Sequence, residues 1–394
     1  MTNAEIIARN DRYLFPTYPR APIALVRGRD CRVWDADGKE YLDFFASTVV
    51  TALGHAHPGV TRAIVEQAEK ILHVSNLHHS EPQALLAEAL CTHSFADRVF
   101  LCNSGAEANE AAIKLARKYG ADAGGGRFEI ITALGSFHGR TIATIAATGQ
   151  EKVRNGFQPL PAGFRYVPYN DATALEKAIS AQTVAVMLEP VQAEGGIIVP
   201  AADYLREVRA ICDRHRLLLI LDEVQTGMGR LGTLFAYEQS GIVPDIMTLA
   251  KGLGSGVPIG AMLATEFVAR SFGAGTHGST FGGNALTCAV ALAVMRALTD
   301  EGVTENCRIQ GAYLRDRLEE LRRRQPRIRE VRGNGLLIGV EISTPGAAVV
   351  DACREAGLLI NCTGERVLRL APPLIVAQYQ IDRALEILTH ALES

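Results

Sequence analysis

From residue 98 onward, short, largely apolar runs alternate with stretches whose apolar residues return every three or four positions. The runs fall at residues 99–102, 128–133, 164–167, 184–188, 217–221, 245–250 and 259–263. Helical spacing between them is clearest at 106–119, 172–179 and 204–214. A run that is apolar at successive positions rather than alternate ones reads as buried on both faces, the mark of a parallel sheet covered by helices. The pattern predicts an α/β fold with a large domain built on a mostly parallel seven-stranded sheet. The connections after residue 250 are too short for a crossover helix, so one strand is expected to run antiparallel.

The flanks read differently. The first segment is an arm followed by a hairpin: residues 25–34 alternate loosely, Asp35, Ala36, Asp37 and Gly38 form a turn cluster, and 41–45 resume an apolar run. Pro58 opens a helix to residue 72, and a second helix spans 82–93. After Asn284 helices are expected to about 300 and over 303–324, then runs at 328–331 and 336–342. A helix, two short runs (358–361 and 367–370) and a last helix from 378 close the chain. This α+β portion is expected to pack with the N-terminal hairpin as a smaller domain formed by both termini. The division is 1–56 (arm and hairpin, part of the small domain), 57–285 (large domain) and 286–394 (the rest of the small domain). Residues 124–126 read as a flexible glycine loop.

Composition narrows the function. A chain of 394 residues has room for two packed units. A net charge of −3 and the lack of a basic stripe argue against nucleic acid; Arg322, Arg323 and Arg324 read as a solvated helix end. The eight cysteines never form a C-x-x-C pair, so buried reduced thiols are expected. His55 and His57 lack a third nearby ligand, so no metal is expected. The first ten residues have no apolar core, and the longest apolar run, 289–298, is broken by Arg296. The expectation is a cytoplasmic protein with no membrane partner.

Open parallel sheets bind ligands at the carboxyl ends of their strands. After the first run come Asn103, Ser104, Gly105 and Ala106, and a helix starts at once. Its first-turn N–H groups offer an anion site, or Ser104 and Glu107 merely form a capping box. After the second run, Phe137 is placed to stack on a flat ring and Arg140 to fork onto a carboxylate, unless both are ordinary packing and surface residues. The run at 217–221 ends in Asp222 and Glu223. That carboxylate suits a Walker B strand, but no G-x-x-x-x-G-K-[ST] precedes it. It suits equally a partner for a protonated ring nitrogen, or a structural role. Lys251 ends the 245–250 run and enters a glycine turn. A lysine desolvated there has a lowered pKa and becomes nucleophilic enough to form a Schiff base. Together these groups match an anion, a flat ring, a basic ring nitrogen and an aldehyde, which pyridoxal 5′-phosphate (PLP) combines.

The motifs NSGAEANE (103–110), FHGR (137–140), EPVQAEGG (189–196), LDEVQTGMGR (221–230), AKGLG (250–254) and HGSTFGGN (277–284) resemble the class III, or ω-amino-acid, aminotransferases over nearly the whole chain. The resemblance implies PLP fold type I, with Lys251 carrying the cofactor and Asp222 on its ring nitrogen. It implies Gln225 on the ring's 3-oxygen, Phe137 and Val224 about the ring, His138 beside it, and Ser104, Gly105 and Ala106 at the phosphate. Thr280 would reach the phosphate across a homodimer interface that holds the active sites. Arg140, Glu194, Arg369, Ser279, Tyr18 and Thr48 are the implied substrate residues. Arg140 would hold the donor's α-carboxylate, and Arg369, masked by Glu194, the α-carboxylate of glutamate.

The implied reaction passes the amino group of N2-acetyl-L-ornithine to 2-oxoglutarate, with N-succinyl-diaminopimelate as a further donor. Thr48 stands where ornithine-specific members carry tyrosine, which fits a bulkier donor. Ornithine and 4-aminobutyrate stay open as donors, as does a nucleotide-binding module on the Asp222 strand. Three positions depart from the family pattern: Ala106, often threonine; Ala193, usually glycine; and Ala285, usually proline. Ala106 would cost the phosphate one hydroxyl contact.

Overall fold

The computed structural model describes residues 1–123 and 125–393. Gly124 of the expected glycine loop and Ser394 of the expected C-terminal span lie outside the described residues. Fifteen strands are described. The first three are β1 (Leu25–Arg29), β2 (Arg32–Asp35) and β3 (Glu40–Asp43). The seven apolar runs become β4 (Arg98–Cys102), β5 (Glu129–Ala133), β6 (Phe164–Val167), β7 (Thr183–Leu188), β8 (Leu218–Asp222), β9 (Ile246–Leu249) and β10 (Gly260–Ala264). They form one sheet in the order β4-β10-β9-β8-β7-β5-β6. Only β10 is antiparallel to its neighbours, β4 and β9.

Why these runs are largely apolar is visible in β8. Leu219 and Leu221 enter one core, while Leu218 and Ile220 enter another on the opposite face. Successive side chains of a strand point to opposite faces, so a sheet covered on both sides favours apolar residues at nearly every position. Helix Gly105–Asp122 covers β9 and β10, and helix Tyr204–His215 lies on β8.

The chain ends form two smaller sheets. The later strands are β11 (Ile328–Asn334), β12 (Leu337–Ile342), β13 (Leu358–Leu359), β14 (Asn361–Thr363) and β15 (Val367–Leu370). β1, β2, β3 and β13 make one sheet, in which β13 runs parallel to β3; β11, β12, β15 and β14 make the other. Helix Ala285–Asp300 lies along helices Pro58–Ala68 and Glu81–Thr92. Among the described residues no helix is long and apolar enough to cross a membrane.

Four details differ from the sequence expectation. The N-terminal arm contains a helix, Asn3–Tyr13, closed by a capping box between Thr2 and Glu5. The loosely alternating 25–34 stretch is two strands, broken where Asp30 takes a left-handed φ of 54°. The Pro58 helix stops at Ala68, short of residue 72. All eight cysteines are free thiols, but Cys91 and Cys362 are only half-buried.

One further feature was not foreseen. Directly after β3, Ala46, Ser47, Thr48 and Val49 all have positive φ, between 45° and 69°. Left-handed backbone is unfavourable for residues with a Cβ, most of all for β-branched ones. Asp43 holds the entry to this turn: its Oδ1 accepts the Phe45 and Ala46 N–H groups at 3.1 and 2.8 Å. Its Oδ2 lies 2.7 Å from His55 Nε2.

Candidate active site

Strands β4, β5, β8 and β9 are parallel, so the residues that follow them gather along one edge of the sheet. A cavity of about 560 Å³ opens there. Its mostly apolar wall and few convergent polar groups suit a small cofactor with substrate. Ser104, Gly105, Ala106, Phe137, His138 and Arg140 line it, as do Asp222, Val224, Gln225, Lys251 and Tyr18.

Ser104 caps the helix that leaves β4, its Oγ accepting Glu107 N–H at 3.2 Å. Glu107 reaches back to Asn103 N–H at 2.7 Å, one residue earlier than a regular capping box. The N–H groups of Gly105 and Ala106 have no intrahelical acceptor and belong to the cavity wall. A helix start of this kind attracts anions. A Cβ at position 105 would stand 2.8 Å from Val224 Cγ1, so glycine permits the close approach of these two walls.

Asp222, at the tip of β8, is 4% exposed and fully engaged by the protein. Asn109 Nδ2 donates to its Oδ2 at 2.7 Å, His138 Nδ1 lies 2.8 Å from the same oxygen, and Val224 N–H donates to Oδ1 at 3.1 Å. Asn109 is fixed in turn: its Nδ2 also donates to His138 O at 2.7 Å, and its Oδ1 accepts from Thr248 Oγ1 at 2.7 Å.

Lys251 follows β9 with a left-handed φ of 44°. Its Nζ makes no hydrogen bond among the described residues. Burial pushes the amine down to about 8; Glu194 opposes this and Arg369 adds to it. An amine brought down to this range and held without a hydrogen-bond partner in a cavity is a nucleophile in waiting.

Glu194 and Arg369 do not line the cavity but meet beside it. Arg369 Nη1 donates to Glu194 Oε1 at 2.7 Å. Gln225 Nε2 donates to the same oxygen at 3.1 Å. Burial pushes Glu194 up, but Arg369 outweighs it, with help from Lys251 and Gln225, so the carboxyl sits below its ordinary range.

Three expected residues stand apart from the cavity of their own chain. Thr280 is exposed on the 277–284 loop. Ser279 is tied down behind it, accepting from Asn103 Nδ2 at 3.1 Å. Thr48 sits in the left-handed turn, next but one to Val50, which does line the cavity. Arg140 is exposed, its guanidinium 5.3 Å from the centre of the Phe137 ring.

Two residues of the site were missed in the sequence. Asn109 is a buried polar residue on the apolar face of a long helix, between Ala108 and Ala111. That mismatch was a usable signal. Glu189 lines the cavity and accepts Phe137 N–H at 3.0 Å. Burial and then Asp222 push its carboxyl well above the ordinary range, against the pull of that N–H. Its place in EPVQAEGG did not separate it from a structural glutamate.

An open α/β sheet with a lysine, a carboxylate and a helix N-terminus converging at its carboxyl edge defines a cofactor-dependent enzyme of the PLP type. The pattern of the family described as "Aminotransferase class-III" matches residues 15–392, and the chain belongs to that family. It is 51% identical over 389 residues to the acetylornithine aminotransferase of Caldanaerobacter subterraneus subsp. tengcongensis, covering 98% of this chain and 99% of that one. It is 48% identical over 392 residues to the acetylornithine aminotransferase of Methanothermobacter thermautotrophicus, covering 100% and 99%. The structure of the ornithine aminotransferase from Toxoplasma gondii, which has partial occupancy of PLP at its active site, superposes with a TM-score of 0.96 at 34% identity, covering 100% and 94%. PLP is the cofactor of this enzyme, and the residues present fit it: open N–H groups for a phosphate, a glycine where a Cβ would crowd the cavity, a buried carboxylate and a partnerless amine.

Proposed function

We propose that this enzyme transfers the ω-amino group of N2-acetyl-L-ornithine to 2-oxoglutarate, giving N-acetyl-L-glutamate 5-semialdehyde and L-glutamate, the chemistry of arginine biosynthesis. N-succinyl-diaminopimelate, whose reacting carbon carries a carboxylate as glutamate's does, is a second donor in this reading. The observation that carries it is the Arg369–Glu194 pair. One site must accept a donor whose reacting end bears no carboxylate, and then 2-oxoglutarate, whose reacting carbon does. A buried arginine, only 2% exposed and neutralised by a glutamate that is 27% exposed, is a cation that can be shown or hidden.

The roles follow from position. Gly105 and Ala106 would hold the phosphate through backbone N–H groups, with Ser104 beside them. Phe137 and Val224 would bracket the ring, and Gln225 would serve its 3-oxygen. When bound, PLP supplies an electron-withdrawing ring that accepts the electron pair of the donor's breaking C–H bond. Asp222 keeps a proton on the ring nitrogen, and His138 and Asn109 keep Asp222 in place. Lys251 Nζ takes a proton from the donor carbon and returns it one position away, first base and then acid. Arg140 would take the donor's α-carboxylate, and Tyr18, Thr48 and Ser279 would border the donor.

Two relatives named acetylornithine aminotransferase are about half identical to this chain, while enzymes of that name with solved structures are 33% and 41% identical and the ornithine enzyme is 34% identical. The fold likeness to the ornithine enzyme does not decide the donor, because fold and substrate vary independently. In this reading the enzyme is a cytoplasmic homodimer. Thr280 and Phe281, the latter 63% exposed, meet the neighbouring subunit, where Thr280 serves its phosphate site. The test is a panel of single-turnover reactions with N2-acetyl-L-ornithine, N-succinyl-diaminopimelate, ornithine and 4-aminobutyrate, read by loss of the holoenzyme's visible band. Fastest reaction with N2-acetyl-L-ornithine supports the reading; preference for ornithine or 4-aminobutyrate overturns it.

A further inference from the structure

The hairpin strand β14 holds both members of the Arg369–Glu194 pair. Asn361 and Arg369 are direct partners across the β14–β15 ladder, so their side chains share a face. Arg369 Nε donates to Asn361 Oδ1 at 3.0 Å. The amide can sit only one way round, since the other would set its NH₂ against a guanidinium N–H. Two residues on, Thr363 Oγ1 donates to Glu194 O at 2.6 Å. The backbone of Glu194 is thus pinned, while its carboxylate reaches Arg369 by side-chain rotation alone.

A guanidinium offers two edges for a carboxylate: the side edge, Nε with Nη2, and the end edge, Nη1 with Nη2. Asn361 occupies the side edge at Nε. Glu194 and, at 3.4 Å, Gln225 Oε1 both use Nη1. Among the described residues Nη2 donates to nothing. When Glu194 turns away, the end edge is the one that opens.

We propose that Asn361 is a positioning residue that fixes Arg369 so that the α-carboxylate of glutamate binds end-on through Nη1 and Nη2 in the place of Glu194. A neutral acceptor is essential to this role: it orients the guanidinium without cancelling its charge. A carboxylate at 361 would leave Arg369 neutralised whether or not Glu194 is present, and a second carboxylate would be repelled. The proposal rests on the reading of Arg369 as the site for the α-carboxylate of glutamate.

The test uses holoenzyme and two half-reactions, one with L-glutamate and one with whichever ω-amine among N2-acetyl-L-ornithine, ornithine and 4-aminobutyrate reacts fastest with the wild type. Asn361→Asp is isosteric and is expected to raise the ratio of kcat/KM for the ω-amine over that for glutamate at least about 30-fold, within the range for losing a hydrogen-bonded charge pair. Asn361→Ala is expected to raise KM for glutamate about 10-fold with a smaller change in kcat, since it frees Nε without adding charge. Asn361→Gln, which keeps the amide, should recover part of that loss. Equal effects on both half-reactions, or none on either, would overturn the proposal, and circular dichroism identifies any variant that has not folded. A wild type that reacts with glutamate but prefers ornithine overturns the donor reading alone. A wild type whose glutamate half-reaction is untouched by Arg369→Lys removes the premise about Arg369 itself.

Discussion

Asp222 and Glu194 are two carboxylates at neighbouring corners of one site, and they are held in opposite ways. Asp222 is 4% exposed and receives Asn109, His138 and Val224, with Asn109 braced by Thr248. Every one of those partners lies in the rigid sheet edge or the helix start beside it. Glu194 is 27% exposed in its side chain, its backbone is anchored by Thr363, and its carboxylate binds two side chains that each have other duties. In the proposed reaction Asp222 keeps one charge beside one ring atom, and it is built into a saturated network, where no alternative rotamer keeps its hydrogen bonds. Glu194, which in the proposed reaction leaves when a different substrate arrives, is built with a fixed root and a replaceable tip. The two corners therefore differ in the kind of damage a substitution should do: at Asp222 it should harm both half-reactions alike, and at Glu194 it should separate them.

The largest effect is expected where both half-reactions share a single atom. Lys251→Ala should lower turnover at least about 10³-fold, since it removes nucleophile and proton carrier together. Steady-state rates with N2-acetyl-L-ornithine and 2-oxoglutarate would show it, and turnover near the wild-type level would remove the lysine from its role. Asp222→Asn should slow both half-reactions by about 10²- to 10³-fold in equal measure; a loss confined to one of them would break the contrast drawn above.

Next is a pH effect. Because burial brings Lys251 down to about 8, its neutral form is scarce at pH 6 and half of the population at pH 8. Uptake of PLP by the apoenzyme, followed by absorbance, should rise about 50-fold over that interval and level off above it. A rate still climbing toward pH 10 would mean an ordinary exposed lysine. Glu194→Gln should then shift the donor balance about 10-fold toward glutamate, because Arg369 stays unmasked; unchanged preference in competing half-reactions would identify the pair as a static bridge. The smallest effect belongs to the left-handed turn. Ser47 is exposed at φ 52°, so Ser47→Gly should relieve strain with no loss of packing and raise the melting midpoint by about 1 °C. A fall would show that the serine side chain holds the turn.

Much of this molecule can be read along the chain where a single physical rule dominates. The seven sheet strands announce themselves because burial on both faces leaves few polar positions within them, and the antiparallel β10 follows from a connection too short for a crossover. Lys251, Asp222 and the Ser104–Ala106 segment are legible because they sit just past apolar runs, where a parallel sheet opens. Helix Asn3–Tyr13 was not legible, because it buries no residue; it is fastened instead by Asn3, which donates to Asp35 and Asp37. The 46–49 turn was not legible because it contains no glycine to mark its left-handed backbone. Asn109, Glu189 and Asn361 meet partners that only the fold brings near, such as Asp222, 113 residues from Asn109.

The attachment of PLP to one amine is the claim on which the other roles depend. Borohydride reduction of the holoenzyme, followed by proteolysis and mass analysis, should place a reduced pyridoxyl group on the peptide containing Lys251 and on that residue alone. Labelling of another lysine, or no label on an enzyme that still turns over, would contradict it.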